Sequence, residues 1–243
     1  MARPGFVQDE VVDVVDELGD LGDLLPPDRV GAAHRALRAR SMVLRKGRWD
    51  AAADAGLIEG GIGFLVLDGA LIRCVSAAHR TSGELLGPGD LLRPDSDVTD
   101  ELPFGSYWRA ISDVRVALLD ARFARNAAFV PEALGALVAS ALRRTDALSR
   151  QLVIVQSQAV ENRILVTLDY LADRWGVVTG EGVVLPAFLS HGTLALLLGA
   201  RRPSVTSAMV RLAAAGVVLR REDGRWLLPA GARREPIPHV AAA

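Results

Sequence analysis

The sequence predicts an α+β protein in three parts: a β jelly roll, one long helix and a winged helix-turn-helix. Three observations predict it. Short runs rich in Val, Leu and Ile follow one another closely over residues 41–120, the pattern of an antiparallel sandwich or jelly roll. After Pro131 no proline appears until Pro186, and that stretch opens on an apolar repeat stepping 4, 3, 4, 3, 4, 3. Small and apolar residues then fall at the offsets a helix-turn-helix requires, with a short hairpin behind them.

Composition sets the outer bounds. The chain has 243 residues, of which 50% are hydrophobic and 23% charged, ordinary for one large or two modest globular domains. Lys plus Arg is 28, Asp plus Glu 29, and the net charge is −1, so no global polyelectrolyte character names a partner. Lys46 is the only lysine; arginine abundance is a compositional bias and carries no function by itself. One cysteine, Cys74, excludes a disulfide framework, a Cys-cluster zinc site and a Cys-ligated iron–sulfur cluster within one chain. No apolar run reaches the ~18 residues of a membrane span. The acidic amino terminus lacks a signal peptide's apolar core. The expectation is a soluble cytoplasmic protein with no membrane partner.

The charge is unevenly distributed. Residues 1–28 hold eight acids against Arg3, a net of −7. Residues 189–234 hold eight arginines (Arg201, Arg202, Arg211, Arg220, Arg221, Arg225, Arg233, Arg234) against Glu222 and Asp223, a net of +6. Such asymmetry points to nucleic-acid contact at the basic end.

Residues 1–27 read as an acidic helical extension. Val11, Val14, Val15 and Leu18 recur at helical spacing, predicting a helix over 8–18, ended by Gly19, Gly22 and Pro26-Pro27. Residues 28–129 are the predicted roll. It begins with a helix over Asp28–Arg40, capped by Asp28 and burying Val30, Ala33 and Leu37. Strands are predicted at Ser41–Arg45, Gly63–Leu67, Ala70–Val75 and Val114–Leu119. Asp68-Gly69 reads as the turn of a hairpin, and Gly83, Gly87, Pro88, Gly89 and Asp90 as a further corner.

Residues 130–158 form the predicted long helix. Pro131 suits its first position and Glu132 its first turn. Leu134, Val138, Ala141, Thr145, Leu148, Leu152 and Val155 form an a/d seam over three heptads, predicting a parallel homodimer through this helix. Leu137, Leu142 and Val153 widen the apolar face, so a second stripe is expected to rest on the roll.

Residues 159–234 carry the sharpest motif, and 235–243 are a tail. An amphipathic helix over Asn162–Trp175 ends at Gly176. Ser190 then caps a helix that Leu189 can staple to Leu194. Ala195 is small where a second helix must cross, Gly199 supplies the positive φ of a tight turn, and Val205 packs back. The second helix starts near Arg202-Pro203 and ends at Gly216. Val217–Arg221 and Arg225–Leu228 flank Asp223-Gly224 as a hairpin wing. In a major groove, Arg202 suits a bidentate contact to guanine, and Ser204, Thr206 and Ser207 reach base edges or phosphates. Arg201, Arg211, Arg220, Arg221 and Arg225 suit phosphates. Pairing of Arg211 with Glu222 or Asp223, and a capping role for Ser204, are the plain structural alternatives. A dimer would present two such helices to half-sites one turn apart, about 34 Å.

FLVLDGALIR, the LLGPGDLL corner, the long helix and LSHGTLALLLGARRPSVTSAMVRLAAAGVV with its wing together resemble the Crp/Fnr family of bacterial transcription regulators over about residues 30–230. The resemblance implies a cyclic-nucleotide-binding-type jelly-roll sensor domain, a dimerisation helix and a winged helix on palindromic double-stranded DNA, with RNA polymerase a further candidate partner. It implies that Arg202 is the base-reading arginine. Pro203 and Ser207 stand where many members carry a glutamate and a second arginine, so the operator should differ from the best-known consensus. In the sensor, Arg93-Pro94 takes the place of a Gly-Glu pair and the phosphate-binding arginine falls near Phe104. A proline removes an amide donor and phenylalanine cannot neutralise a phosphate, so cAMP and cGMP are not the expected effectors. No cofactor is identified; His34 and His79 leave haem open, and Asp95, Asp97, Asp100 and Glu101 read as a solvated loop because the glycine of a calcium loop is missing. The alternative is an effector-independent or partner-controlled DNA-binding dimer whose roll is an interaction module. No nucleophile–base pair or phosphate loop suggests an enzyme.

Overall fold

A computed structural model of the chain describes residues 10–18, 21–77, 80–94, 104–157 and 159–231. Two compact units divide at Leu152, Met1–Leu152 and Val153–Ala243. The first runs β1 (Glu10–Asp13), α1 (Val14–Glu17), α2 (Leu21–Leu24), α3 (Val30–Ala36), β2 (Arg38–Leu44), β3 (Gly47–Trp49), α4 (Ala51–Asp54), a 3-10 turn (Ala55–Ile58), β4 (Gly63–Asp68), β5 (Leu71–Ala77), β6 (Arg80–Leu86), β7 (Leu91–Leu92), β8 (Phe104–Ala110), β9 (Val114–Leu119) and α5 (Ala121–Ala127). Helix α6 (Pro131–Gln156) crosses the division. The second unit continues with α7 (Val160–Trp175), β10 (Val177–Thr179), β11 (Gly182–Val184), α8 (His191–Leu197), α9 (Arg202–Ala214), β12 (Leu219–Arg220) and β13 (Trp226–Pro229).

Two antiparallel sheets make the roll, β1-β2-β9-β4-β7 and β3-β8-β5-β6. The first has a core on each face. Side chains alternate across a strand, and β4 divides accordingly. Phe64 and Val66 enter the core between the sheets with Trp49, Trp108, Leu71 and Leu86. Leu65 and Leu67 enter a second core with α1, α2, α5 and the start of α6. Strand β9 divides the same way, Val114, Val116 and Leu118 against Ala117 and Leu119. A strand buried on both faces reads as an unbroken apolar run, which is why Gly63–Leu67 is legible; in Val114–Leu119 only Arg115, paired with Glu17, interrupts the run.

Three expectations for this unit are corrected. The helix over 8–18 is instead strand β1 and the one-turn α1: Glu10–Asp13 pairs antiparallel with Arg38–Ser41. Val12, Val14, Val15 and Leu18 are buried in the second core, so the valines that fitted a helical period serve a strand and the turn after it. Residues 8 and 9 lie outside the described segments. The helix over 28–40 is only Val30–Ala36. Its cap position is Arg29, with no side-chain cap bond, and Asp28 does not cap it. Residues 38–40 are already β2, drawn into the sheet by pairing with β1 and β9.

Asp68-Gly69 is not a hairpin turn. Strand β4 pairs with β7 and β9, while β5 pairs with β6 and β8; the chain passes from one sheet to the other at this point. Gly69 has φ +80°, and a Cβ there would lie 2.1 Å from the Asp113 carbonyl oxygen and 2.9 Å from Val114 Cα. Gly69→Ala is therefore expected to destabilise the first unit by about 2–4 kcal/mol, from the left-handed penalty and a backbone collision. A lower urea midpoint at unchanged m-value is the readout.

The second unit packs α7, α8 and α9 around buried Ile164, Leu168, Leu171, Leu194, Leu198, Val205, Met209 and Val218. Its sheet, ordered β10-β11-β13-β12, holds the predicted wing as Leu219–Arg220 paired with Trp226–Leu227. The β10–β11 hairpin was not anticipated, although Val177-Val178 and Val183-Val184 around Gly180 and Gly182 carry its signal.

Candidate nucleic-acid interface

Local chemistry sets the helix-turn-helix. Ser190 caps α8, its Oγ accepting from the Thr193 N–H at 3.1 Å. At the turn Gly199 has φ +57°, and the Ala200 N–H donates to the Ala195 carbonyl at 3.0 Å. Ala195 and Val205 are buried where α8 and α9 cross. Arg201 occupies the cap position of α9 without a side-chain cap bond, and Pro203 sits in the first turn. Ser204 is exposed and does not take the cap position.

Helix α9 has two distinct faces. Val205, Ala208, Met209 and Leu212 are buried. Opposite them, at steps of 4, 3 and 4, lie Pro203, Ser207, Val210 and Ala214, all exposed. Val210 is 62% exposed, a position sequence reasoning passed over because the valine fits an apolar helix face equally well. Arg201 and Arg202 are exposed at the start of α9, with no carboxylate partner among the described residues. Thr206 is half-buried, its Oγ1 3.1 Å from His191 Nδ1.

The other candidates are held inside the unit. Arg211 pairs with Glu161 of α7, its Nε donating at 2.7 Å; the expected pairing with Glu222 or Asp223 does not form. The Glu161 backbone N–H, and then Arg211, hold that carboxyl below the usual range. Arg225 donates to Asp223 through its guanidinium and its backbone N–H, each at 2.9 Å, which lowers the Asp223 pKa. Arg221 pairs with Glu181 and lies 3.7 Å from Asp223. The charge count over 189–234 omitted Glu161 and Glu181, which precede that window in sequence and meet it in the fold. Arg233 and Arg234 lie outside the described residues.

A stack joins wing to helix. The Arg220 guanidinium lies 4.3 Å from the Trp226 ring, and Trp226 stacks on His191 at 5.5 Å and 19°. Trp226 Nε1 donates to the Leu189 carbonyl at 2.8 Å, fixing the indole against the entry to α8. Burial, then the charges of Arg220 and Arg202, push the His191 pKa down.

Helix α6 also has two faces. Ala133, Leu137 and Ser140 are buried on the roll. Ser140 Oγ donates to the Gly89 carbonyl at 2.6 Å, Arg144 donates to Glu84 at 2.9 Å, and Gln151 donates to the Gly83 carbonyl at 2.7 Å. On the other side Leu134, Val138, Ala141, Thr145, Leu148 and Leu152 are exposed, and Val155 is half-buried. Leu142 and Val153, expected to widen the face against the roll, are 61% and 70% exposed and widen the open face instead. The helix ends at Gln156, and residue 158 is outside the described segments. Just beyond, Arg163 of α7 donates to the Ser157 carbonyl and, at 3.4 Å, to that of Leu198.

In the roll, Arg93 donates to the Gly61 carbonyl at 2.6 Å and to that of Ile62 at 3.3 Å. Asp90 is buried and accepts from the Gly87 N–H at 2.8 Å. Trp49 meets Phe64 and Trp108 edge-on at 5.6 and 5.9 Å within the core between the sheets. His34 Nδ1 lies 2.8 Å from Asp13. His79, the loop 95–101 and the Phe104 side chain are outside the described set. No helix among the described residues is long and apolar enough to cross a membrane.

No family model and no curated protein matches the chain. Solved structures do. A cyclic nucleotide-binding domain containing protein from Listeria monocytogenes is similar over 88% of this chain and 96% of its own, at 16% identity and TM-score 0.59. FixK2 from Bradyrhizobium japonicum is similar over 78% and 92%, at 18% and 0.57. TTHA1359 from Thermus thermophilus, a transcriptional regulator of the CRP/FNR family, is similar over 77% and 92%, at 20% and 0.52. Jelly roll, long helix and winged helix-turn-helix follow in the same order, and the chain has the fold of the CRP/FNR regulators.

Proposed function

We propose that the protein is a homodimeric, sequence-specific DNA-binding transcription regulator acting in the cytoplasm. The observation that carries this reading is the start of α9. Arg201 and Arg202 stand there exposed, with no carboxylate partner among the described residues, at the end of a helix whose outward ridge is Pro203, Ser207 and Val210. Arg202 reads a guanine through O6 and N7; Ser204 and Ser207 reach neighbouring base edges or phosphates; Val210 offers an apolar contact to a thymine methyl. Arg201 and Arg220 meet phosphates and set register. Thr206 acts through His191 as well as on the duplex. Arg211 and Arg225 reach phosphates only by exchanging Glu161 and Asp223, so they contribute less to affinity than their charge suggests.

A single recognition helix covers few base pairs, so two chains are needed. The open face of α6 supplies the dimer seam: six of its seven predicted positions are exposed, on the side of the helix not packed on the roll. Selection of bound duplexes from a random pool tests the reading. It is expected to return an inverted repeat with half-site centres about 34 Å apart; the absence of an enriched duplex, or an enriched asymmetric site, contradicts it.

The roll is not a cyclic-nucleotide receptor in this reading. Arg93 is spent on two backbone carbonyls, Pro94 offers no amide, and Trp49, Trp108 and Phe64 fill the core between the sheets. This favours an effector of other chemistry or none, with control through the roll's surface. A ligand that binds only the folded state raises its stability, so cAMP and cGMP at millimolar concentration are expected to leave Tm unchanged. A concentration-dependent rise would overturn this part.

A further inference from the structure

We propose that His191 is a DNA-contact residue that takes up a proton when the duplex binds, so that DNA affinity depends on pH through this one ring. The inference rests on the DNA-binding reading and deepens it. Its basis is geometric. His191 is half-exposed at the first position of α8, between the two elements expected to meet DNA. One ring face lies on Trp226 of β13. Nδ1 is engaged with Thr206 of α9. With Nδ1 committed there, Nε2 is the nitrogen left for a phosphate. Each part of the surroundings holds the ring in place, and none among the described residues supplies an anion to stabilise a charge on it.

Among the described residues, the groups that face the ring are cationic or neutral. Arg220 of β12 reaches it across Trp226, Arg202 comes from the start of α9, and Thr206 and Trp226 carry no charge. Burial comes first among the causes that disfavour protonation, and the two guanidiniums follow. The free protein therefore holds the imidazole neutral near pH 7. A phosphate against Arg202 and Arg220 reverses the electrostatic cause: it offsets both cations and offers Nε2–H an acceptor, which favours imidazolium.

The sign follows from linkage. The ring binds protons more tightly in the complex than in free protein, so binding consumes protons and affinity rises as pH falls. Above the complex's pKa the curve is flat. Between that pKa and the lower pKa of the free protein it approaches one decade per pH unit per protomer, and below both it is flat again.

The test uses the full chain with a mixed-sequence duplex of about three helical turns at low salt, titrated from pH 5.5 to 8. Wild type is expected to bind several-fold more tightly at the acid end. His191→Gln, neutral throughout, should lose that slope. His191→Arg, charged throughout, should lose the slope and stay at the acid-end affinity. The imidazole resonances of wild type, followed by NMR, should titrate at higher pH in the complex than in free protein, a readout that needs no variant to fold. A wild-type slope retained in His191→Gln, or a ring that titrates identically free and bound, overturns the assignment while leaving the DNA reading intact. Wild type that binds no duplex at any pH overturns both.

Discussion

Replacing Arg202 with alanine is expected to lower operator affinity by about 1–3 kcal/mol per half-site and to erase the preference for one guanine in each. The side chain is exposed and pairs with no carboxylate among the described residues, so its loss leaves the fold alone; Tm should be unchanged. It also contributes to the field that keeps His191 neutral, so a modest rise in the His191 pKa should accompany the loss. Titration against the selected operator and single-base variants checks the assignment. Loss of affinity confined to the guanine position supports base reading. An equal loss on every sequence with a shallower salt dependence would make Arg202 a phosphate contact instead.

The second large effect concerns assembly. Val138→Asp combined with Leu152→Asp is expected to abolish the dimer. These valine and leucine side chains are 58% and 64% exposed in the single chain, so the change removes nothing from the fold. In the dimer it would bury four carboxylates in an apolar seam, a cost of several kcal/mol per charge. A monomer holds one half-site without the effective concentration of a tethered second head, and operator affinity should fall by about 10²–10⁴-fold. Sedimentation and duplex titration read the two effects separately. A variant that remains dimeric would move the interface off this face of α6.

How much of this could be read from sequence differs between the two units for physical reasons. The helix-turn-helix was legible because its constraints are local: Ser190 caps, Gly199 turns, and Ala195 and Val205 meet across a few residues. The roll is built from distant pairings. Val11, Val14, Val15 and Leu18 fit a helical period, but Glu10–Asp13 is held by Arg38–Ser41 some thirty residues on, and that pairing overrides local preference. Asp68-Gly69 carries the right turn chemistry, yet the strands on either side belong to different sheets. For the interface, the exposure of Arg202, Ser204 and Ser207 follows from their place on the helix, whereas Val210 of the outward ridge does not stand out in sequence. What sequence could not supply was compensation: Glu161, Glu181 and Asp223 engage Arg211, Arg221 and Arg225, and two of the three come from elements outside the basic stretch. His191 does not read as a DNA contact in sequence because no local pattern brings it to Trp226 and Thr206.

The central claim is that two chains, joined along α6, place two copies of α9 on one duplex. The mass of the complex with the selected operator, measured by sedimentation at micromolar protein, tests it most directly. Two chains per duplex, from a protein already dimeric when free, is the predicted result; a monomer in solution that forms a one-chain complex, or no complex at low salt, would contradict it.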